Sequence, residues 1–257
     1  MLTVNRLQEK LRKGQEVFGL IASIPTALTV EMIGHAGYDF VIIDMEHVMV
    51  NPETVEHMIR AAEAAQITSL VRVPEVDAKD ILRVLDSGAQ GIVVPHVESR
   101  EQMEMLVQAA KYSPEGKRSL NSGRPAAFGK GSLVDYMKQA NDQIMLVPMI
   151  ESELGVERVA DILSVPGMGM VLEGAADLSQ SYGMPWQTDA TIVQEGLQRV
   201  FEASRQAGIP YCAIPRRDGE YGAWTEQGVR AFVLGDERGI AFRALQKRRS
   251  DLQQLST

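Results

Sequence analysis

The sequence predicts an α/β fold, a closed (β/α)8 barrel formed as one domain by residues 1–257. Three observations carry this reading. Eight short apolar runs alternate with longer helix-patterned segments along the whole chain. The runs are mostly continuous rather than alternating, as expected for strands buried on both faces. The 257 residues also match the ~250 that such a barrel commonly uses as one domain.

The chain opens with Met1-Leu2-Thr3-Val4-Asn5-Arg6-Leu7-Gln8-Glu9-Lys10. This is an amphipathic helix pattern without the apolar centre of a signal peptide. Strands are expected at 17–23, 40–45, 69–73, 91–97, 145–150, 168–172, 211–214 and 231–234. Several helix starts are explicit between them. Asn51-Pro52-Glu53 supplies an N-cap, a proline at the first helical position and an acid in the first turn. Asp77-Ala78-Lys79-Asp80 opens another helix. Ser99-Arg100-Glu101-Gln102 becomes a capping box if Ser99 is the N-cap and Gln102 the third helical residue.

The rival architecture is an open, doubly wound sheet. It places phosphate-binding glycines after its first strand, whereas here that run ends Ile21-Ala22-Ser23-Ile24-Pro25. With no P-loop sequence either, the closed barrel is favoured. No composition shift divides the chain. The longest irregular stretch is 113–131, with Pro114, Gly116, Gly123, Pro125, Gly129 and Gly131. Loops of that length in compact domains are usually functional. A second insert spans 180–190.

Composition excludes several classes. With 26 Lys and Arg against 34 Asp and Glu, the net charge of −8 argues against nucleic-acid binding. Hydrophobic residues at 45% and charged residues at 23% exclude a disordered chain. One cysteine, Cys212, precludes an internal disulfide and a multi-cysteine metal site. Its apolar neighbours mark it as a small buried hydrophobe. No apolar run approaches the ~18 residues of a membrane span, so a cytoplasmic location without membrane partners is expected.

Barrels of this kind carry their sites at the C-terminal ends of the strands. The second strand ends in Asp44-Met45-Glu46-His47, the third in Arg72-Val73-Pro74 and the fourth in Pro95-His96. The fifth ends at Glu151, the sixth runs into Glu173-Gly174-Ala175-Ala176-Asp177 and the seventh into Pro215-Arg216-Arg217-Asp218. Any one of these has an ordinary structural explanation. Six consecutive strands ending in ionisable groups are hard to reach by packing alone and point to a catalytic mouth. His35 and His57 fall within helices, which leaves His47 and His96 as site candidates. Glu151 and Asp177 could hold a hard divalent cation or act as acid and base, and spacing leaves both open. Arg124, with Arg118, adds positive charge in the glycine-rich loop. It reads as an anchor for a carboxylate or phosphate, or as a solvated loop arginine. Arg216 and Arg217 leave the same choice open.

Taken together, Asp44-x-Glu46-His47, Arg72-x-Pro74, Val94-Pro95, Glu151 and Gly174-x-Ala176-Asp177-Leu178-Ser179 resemble the HpcH/HpaI aldolase/citrate lyase family over about residues 4–245. The resemblance implies a barrel in a homo-oligomer, with its C-terminal helix on a neighbouring subunit. It also implies metal-dependent class II aldol chemistry on pyruvate-like ketoacids. Arg72 would hold the ketoacid carboxylate and polarise its keto oxygen. His47, oriented by Asp44, would be the acid–base group. Glu151 and Asp177 would be the metal ligands, Asp86 would lie near the site, and the backbone at Ala175 and Ala176 would touch the substrate carboxylate.

The chain departs from the family pattern in places. Gly174-Ala175-Ala176-Asp177 stands where Gly-Pro-Ala-Asp is usual, and the acidic Glu173 precedes it. His96 follows Pro95, and Arg124-Pro125 replaces a common Arg-Ala. Residues 172–180 and 121–125 resemble the branch of aldolase-fold citrate synthases found in siderophore gene clusters, such as that for staphyloferrin B. That branch implies condensation of oxaloacetate with acetyl-CoA to give citrate and CoA, with no cofactor required. Glu151 would then be the base on the thioester methyl, and a divalent cation (Mg or Ca) at Glu151 and Asp177 would inhibit. His47 or His96 would donate a proton, and Arg124 would hold the second carboxylate or CoA. The alternative function is a class II pyruvate aldolase. A barrel that only binds a dicarboxylate is the third reading.

Overall fold

The computed structural model describes residues 3–254. Eight parallel strands hydrogen-bond in chain order and the eighth closes on the first, which is the predicted (β/α)8 barrel. The strands are β1 (Val17–Ala22), β2 (Phe40–Asp44), β3 (Thr68–Arg72), β4 (Gly91–Val94), β5 (Met145–Ile150), β6 (Val171–Glu173), β7 (Tyr211–Ala213) and β8 (Ala231–Asp236). A short helix, α1 (Arg6–Arg12), precedes them. The connecting helices are α2 (Ala27–His35), α3 (Pro52–Ala64), α4 (Ala78–Asp86), α5 (Arg100–Ala110) and α6 (Leu133–Gln143). They continue as α7 (Glu153–Glu157), α8 (Val159–Leu163), α9 (Ala175–Ser181), α10 (Thr191–Ala207) and α11 (Glu220–Glu226), and α12 (Glu237–Gln254) is the last element of the described residues.

Alternation along the strands separates two cores. Phe40, Ile42, Leu70, Val93, Val147, Leu172, Cys212 and Val233 fill the barrel interior. Val41, Ile43, Val71, Ile92, Leu146 and Val171 face the helices. Cys212 is buried, as its apolar neighbours indicated. The helix at the N-terminus starts at the Asn5 cap, later than its pattern suggested, and Met1 and Leu2 lie outside the described residues. It closes the N-terminal end of the barrel: Leu7 joins the inner core, and Asn5 Nδ2 donates to the Gln90 and Gln143 carbonyls at 3.1 and 2.9 Å.

The predicted caps form. Asn51 Oδ1 accepts from the Thr54 amide at 2.8 Å, and Asp77 Oδ1 accepts from the Lys79 and Asp80 amides at 2.8 and 2.9 Å. Ser99 and Gln102 make the reciprocal capping box. Some strand ends shift. The fourth strand stops at Val94 rather than 97, because Pro95 has no amide to give and His96 turns to φ 48°. The sixth starts at Val171 rather than 168. The eighth runs on to Asp236 through Gly235 at φ 99°. No helix among the described residues is long and apolar enough to cross a membrane.

Candidate active site

The strand ends bring Asp44, Glu46, Arg72, Glu151 and Asp177 to one mouth. Asp44 and Arg72 are the last residues of β2 and β3 and stand opposite each other in the ladder. Arg72 Nε donates to Asp44 Oδ1 at 3.0 Å and Nη2 to Oδ2 at 2.8 Å, with both residues buried. Arg72 Nη1 lies 3.0 Å from Glu46 Oε2. Although burial opposes its charge most strongly, the hydrogen bonds it donates to Asp44 and the charges of Asp44, Glu46 and Glu151 hold the guanidinium protonated, above its ordinary value. One edge of Arg72 is therefore committed to Asp44 and Nη1 also lies beside Glu46, so of the five guanidinium hydrogens only the second ones on Nη1 and Nη2 are left to offer a substrate.

The expectation that Asp44 orients the His47 ring is not what the geometry gives. Asp44 Oδ1 accepts from the backbone amides of Glu46 and His47 at 3.0 and 3.4 Å. The His47 imidazole faces Glu46 instead, with Nε2 3.5 Å from Oε2, and remains largely exposed. An Asp two residues from a turn competes for local amides, and its carboxylate is already filled by Arg72. Glu46 thus links Arg72 to His47, a role the motif alone did not assign. Its position two residues beyond Asp44 was the available signal.

Glu151 follows β5 and is 3% exposed. Its Oε1 accepts from the His96 amide at 2.8 Å, and the His96 Nδ1 lies 3.8 Å away. The left-handed backbone at His96 aims that amide. Burial pushes the Glu151 carboxyl up to about 7, against the His96 interactions, and the charges of Asp177 and Glu46 push the same way. Gly174 lets β6 pass against it: a Cβ there would fall 2.5 Å from Glu151 Cβ. This close approach, rather than any special φ, requires the glycine. Asp177 sits in the first turn of α9. The first amide bonded within that helix is Leu178, to the Gly174 carbonyl at 2.9 Å. The Ala175 and Ala176 amides have no protein acceptor among the described residues.

The remaining candidates lie elsewhere. Glu173 turns to the helix side of the wall, where Oε1 accepts from the Ile214 amide at 2.7 Å and Arg216 Nη1 at 3.0 Å. Burial raises its carboxyl above the ordinary range, opposed by Arg216. Arg217 pairs with Glu220 at 2.5 Å and with Asp189. Arg124 is not above the mouth. Its guanidinium pairs with Glu63, at the end of α3, and donates to the Ser87 carbonyl at 2.6 Å. Both partners precede their next strand, so Arg124 lies at the N-terminal face, opposite the candidate site. Asp86 lies at the same face, held by Arg118 at 2.7 Å and Asn121 at 2.9 Å. The glycine-rich loop, which includes a 3-10 turn at Arg124–Gly129, runs past that end.

Glu151 and Asp177 suit a hard divalent cation by chemistry: two neighbouring carboxylates are a common part of a magnesium donor set. Among the described residues no group of three or more His, Cys, Asp or Glu is arranged to hold a metal.

The model of the family described as HpcH/HpaI aldolase/citrate lyase matches residues 18–230. The chain is similar to the crystal structure of citrate synthase SbnG, with 46% identity, 98% of each chain covered and a TM-score of 0.91. It is 35% identical to hydroxypyruvate/pyruvate aldolase of Paraburkholderia phytofirmans, covering 80% of this chain and 81% of that one. It is 33% identical to 2-keto-3-deoxy-L-rhamnonate aldolase of Escherichia coli, covering 81% and 79%.

Proposed function

The chain belongs to the HpcH/HpaI aldolase/citrate lyase family, and on that premise we propose that it is a citrate synthase condensing oxaloacetate with acetyl-CoA. The observation that carries the reading is Glu151. It is a carboxylate buried at the mouth whose proton affinity lies near neutrality, at about 7. A base poised there can take a proton from a thioester methyl group at physiological pH. Similarity to citrate synthase SbnG supports the choice of reaction.

The steps follow from the residues. Glu151 removes a methyl proton from acetyl-CoA, leaving an enolate. The Nη1/Nη2 end of Arg72 faces the keto oxygen of oxaloacetate and stabilises the charge that develops there. The enolate carbon bonds to the keto carbon, and the new alkoxide takes a proton from His47 or His96. Water then cleaves citryl-CoA to citrate and CoA. Asp44 acts through Arg72, fixing its plane. The free amides of Ala175 and Ala176 suit a substrate carboxylate.

Glu151 and Asp177 would be the residues holding a divalent cation, which when bound supplies Lewis-acid stabilisation of an enolate. In the citrate-synthase reading Glu151 must keep its lone pairs for the proton, so an occupying cation inhibits. No cofactor is then required. A cytoplasmic enzyme feeding siderophore assembly, of the staphyloferrin B kind, fits the reading. So does a homo-oligomer, because α12 leaves Phe242, Leu245 and Leu252 exposed.

A second reading has its own support. The Glu151–Asp177 pair beside Arg72 equally suits a metal-dependent class II aldolase, and both of those relatives are named aldolases. The test is product formation: free thiol and citrate from oxaloacetate and acetyl-CoA, against magnesium-dependent cleavage of a hydroxy-ketoacid.

A further inference from the structure

Oxaloacetate carries two carboxylates, yet the mouth is acidic, with Asp44, Glu46, Glu151 and Asp177 around Arg72. Arg124 is at the far end of the barrel, and Arg216 is held by Glu173 at 3.0 Å. A neutral donor at the mouth would complement the second carboxylate without adding a charge, and β1 supplies one.

Along β1, Val17 and Ile21 pack in the barrel interior, and Gly19 abuts the ring of the inner residue Phe40. Phe18, Leu20 and Ala22 face the helices. The same alternation turns Ser23 inward. Ala22 pairs with Ile43, which sets Ser23 beside Asp44, itself opposite Arg72. Ser23 is only 6% exposed, and its hydroxyl has no hydrogen-bond partner among the described residues. The hydroxyl oxygen is not sealed from solvent, and a hydroxyl with no protein partner is free to donate to a bound ligand. Its backbone, by contrast, is held firmly. The Ser23 amide donates to Glu237 Oε2 at 2.8 Å, and the Ile24 amide donates to the other oxygen of the same carboxylate. Glu237 is itself buried, at the start of α12.

We propose that Ser23 is a specificity-determining residue whose hydroxyl donates to the second carboxylate of the ketoacid acceptor. Glu237 is the positioning residue that sets it there. This deepens the citrate-synthase reading and rests on it for the identity of the acceptor. The selected class is a dicarboxylate ketoacid over a monocarboxylate such as pyruvate, because only the former reaches both Arg72 and Ser23.

The test compares wild type with Ser23→Ala, Ser23→Thr and Glu237→Gln. It uses initial rates, calorimetric oxaloacetate binding and thermal unfolding. In Ser23→Ala the oxaloacetate KM and Kd rise about tenfold, the loss expected for one hydrogen bond to a charged group. The acetyl-CoA KM and the melting temperature stay unchanged, and Ser23→Thr restores binding. Glu237→Gln weakens oxaloacetate binding in the wild-type background but adds nothing in Ser23→Ala, an outcome a merely structural role would not produce. An unchanged oxaloacetate Kd in folded Ser23→Ala overturns the proposal even if citrate forms normally. If wild type binds oxaloacetate but makes no citrate, the reaction assignment fails, and the Kd comparison still decides the role of Ser23. If wild type binds no oxaloacetate, the proposal falls too.

Discussion

The His96 amide donates to Glu151 Oε1 at 2.8 Å from a residue held at φ 48°. A side chain in the left-handed region costs roughly 1–2 kcal/mol relative to the ordinary backbone. Here the cost aims one amide at the proposed base. Replacing His96 by Gly and by Ala separates backbone from ring. The Gly variant is expected to be more stable than the Ala variant by about 1 kcal/mol in urea unfolding. Equal stabilities would remove the strain from the account.

Glu151 governs the pH dependence. Its folded value is raised from 4.5 to about 7, so kcat/KM should climb as pH rises through 7 and level off above. Glu151→Gln should abolish that limb and cut turnover at least ~100-fold. The stability effect has the opposite sign. Between 4.5 and about 7 the native state holds the proton more tightly than the unfolded chain, so stability falls as pH rises through this window. The Gln variant should therefore melt higher than wild type at pH 8, with the gain vanishing below pH 4.5. Melting curves at the two pH values check it.

Arg72 answers to a different readout. Arg72→Ala leaves Asp44 buried and unpaired, which should cost about 3–5 kcal/mol as well as at least ~100-fold in turnover. Asp44→Asn keeps the shape but weakens the two-pronged contact. It should lower kcat with a smaller stability loss than Arg72→Ala. Normal kcat in folded Asp44→Asn would detach Asp44 from the mechanism.

Arg124 separates the two ends of the barrel. Arg124→Ala should leave the KM for both substrates unchanged while destabilising the glycine-rich loop, with a loss near ~1 kcal/mol for a partly exposed pair. A large rise in either KM would put Arg124 back at a ligand.

The barrel was legible because strand burial, helix caps and chain length each leave a local trace. Asn51, Asp77 and Ser99 cap where the sequence placed them. The inward set at the mouth was legible for the same reason: strand-end polarity survives in one dimension. What failed was direction across space. A glycine-rich loop carries no mark of which barrel end it covers, and in this chain the Arg124 and Asp86 side chains both lie at the N-terminal end. The Asp44–Arg72 pairing hid because the two are 28 residues apart. Glu237, 214 residues from Ser23, gave no sequence signal at all.

The most direct measurement incubates EDTA-treated protein with oxaloacetate and acetyl-CoA, following thiol release and identifying citrate. The account predicts citrate at full rate without metal, slowed by added magnesium and lost in Glu151→Gln. Citrate formation that EDTA abolishes and magnesium restores would contradict Glu151 as the free base. No citrate, with magnesium-dependent cleavage of a hydroxy-ketoacid, would make the protein an aldolase.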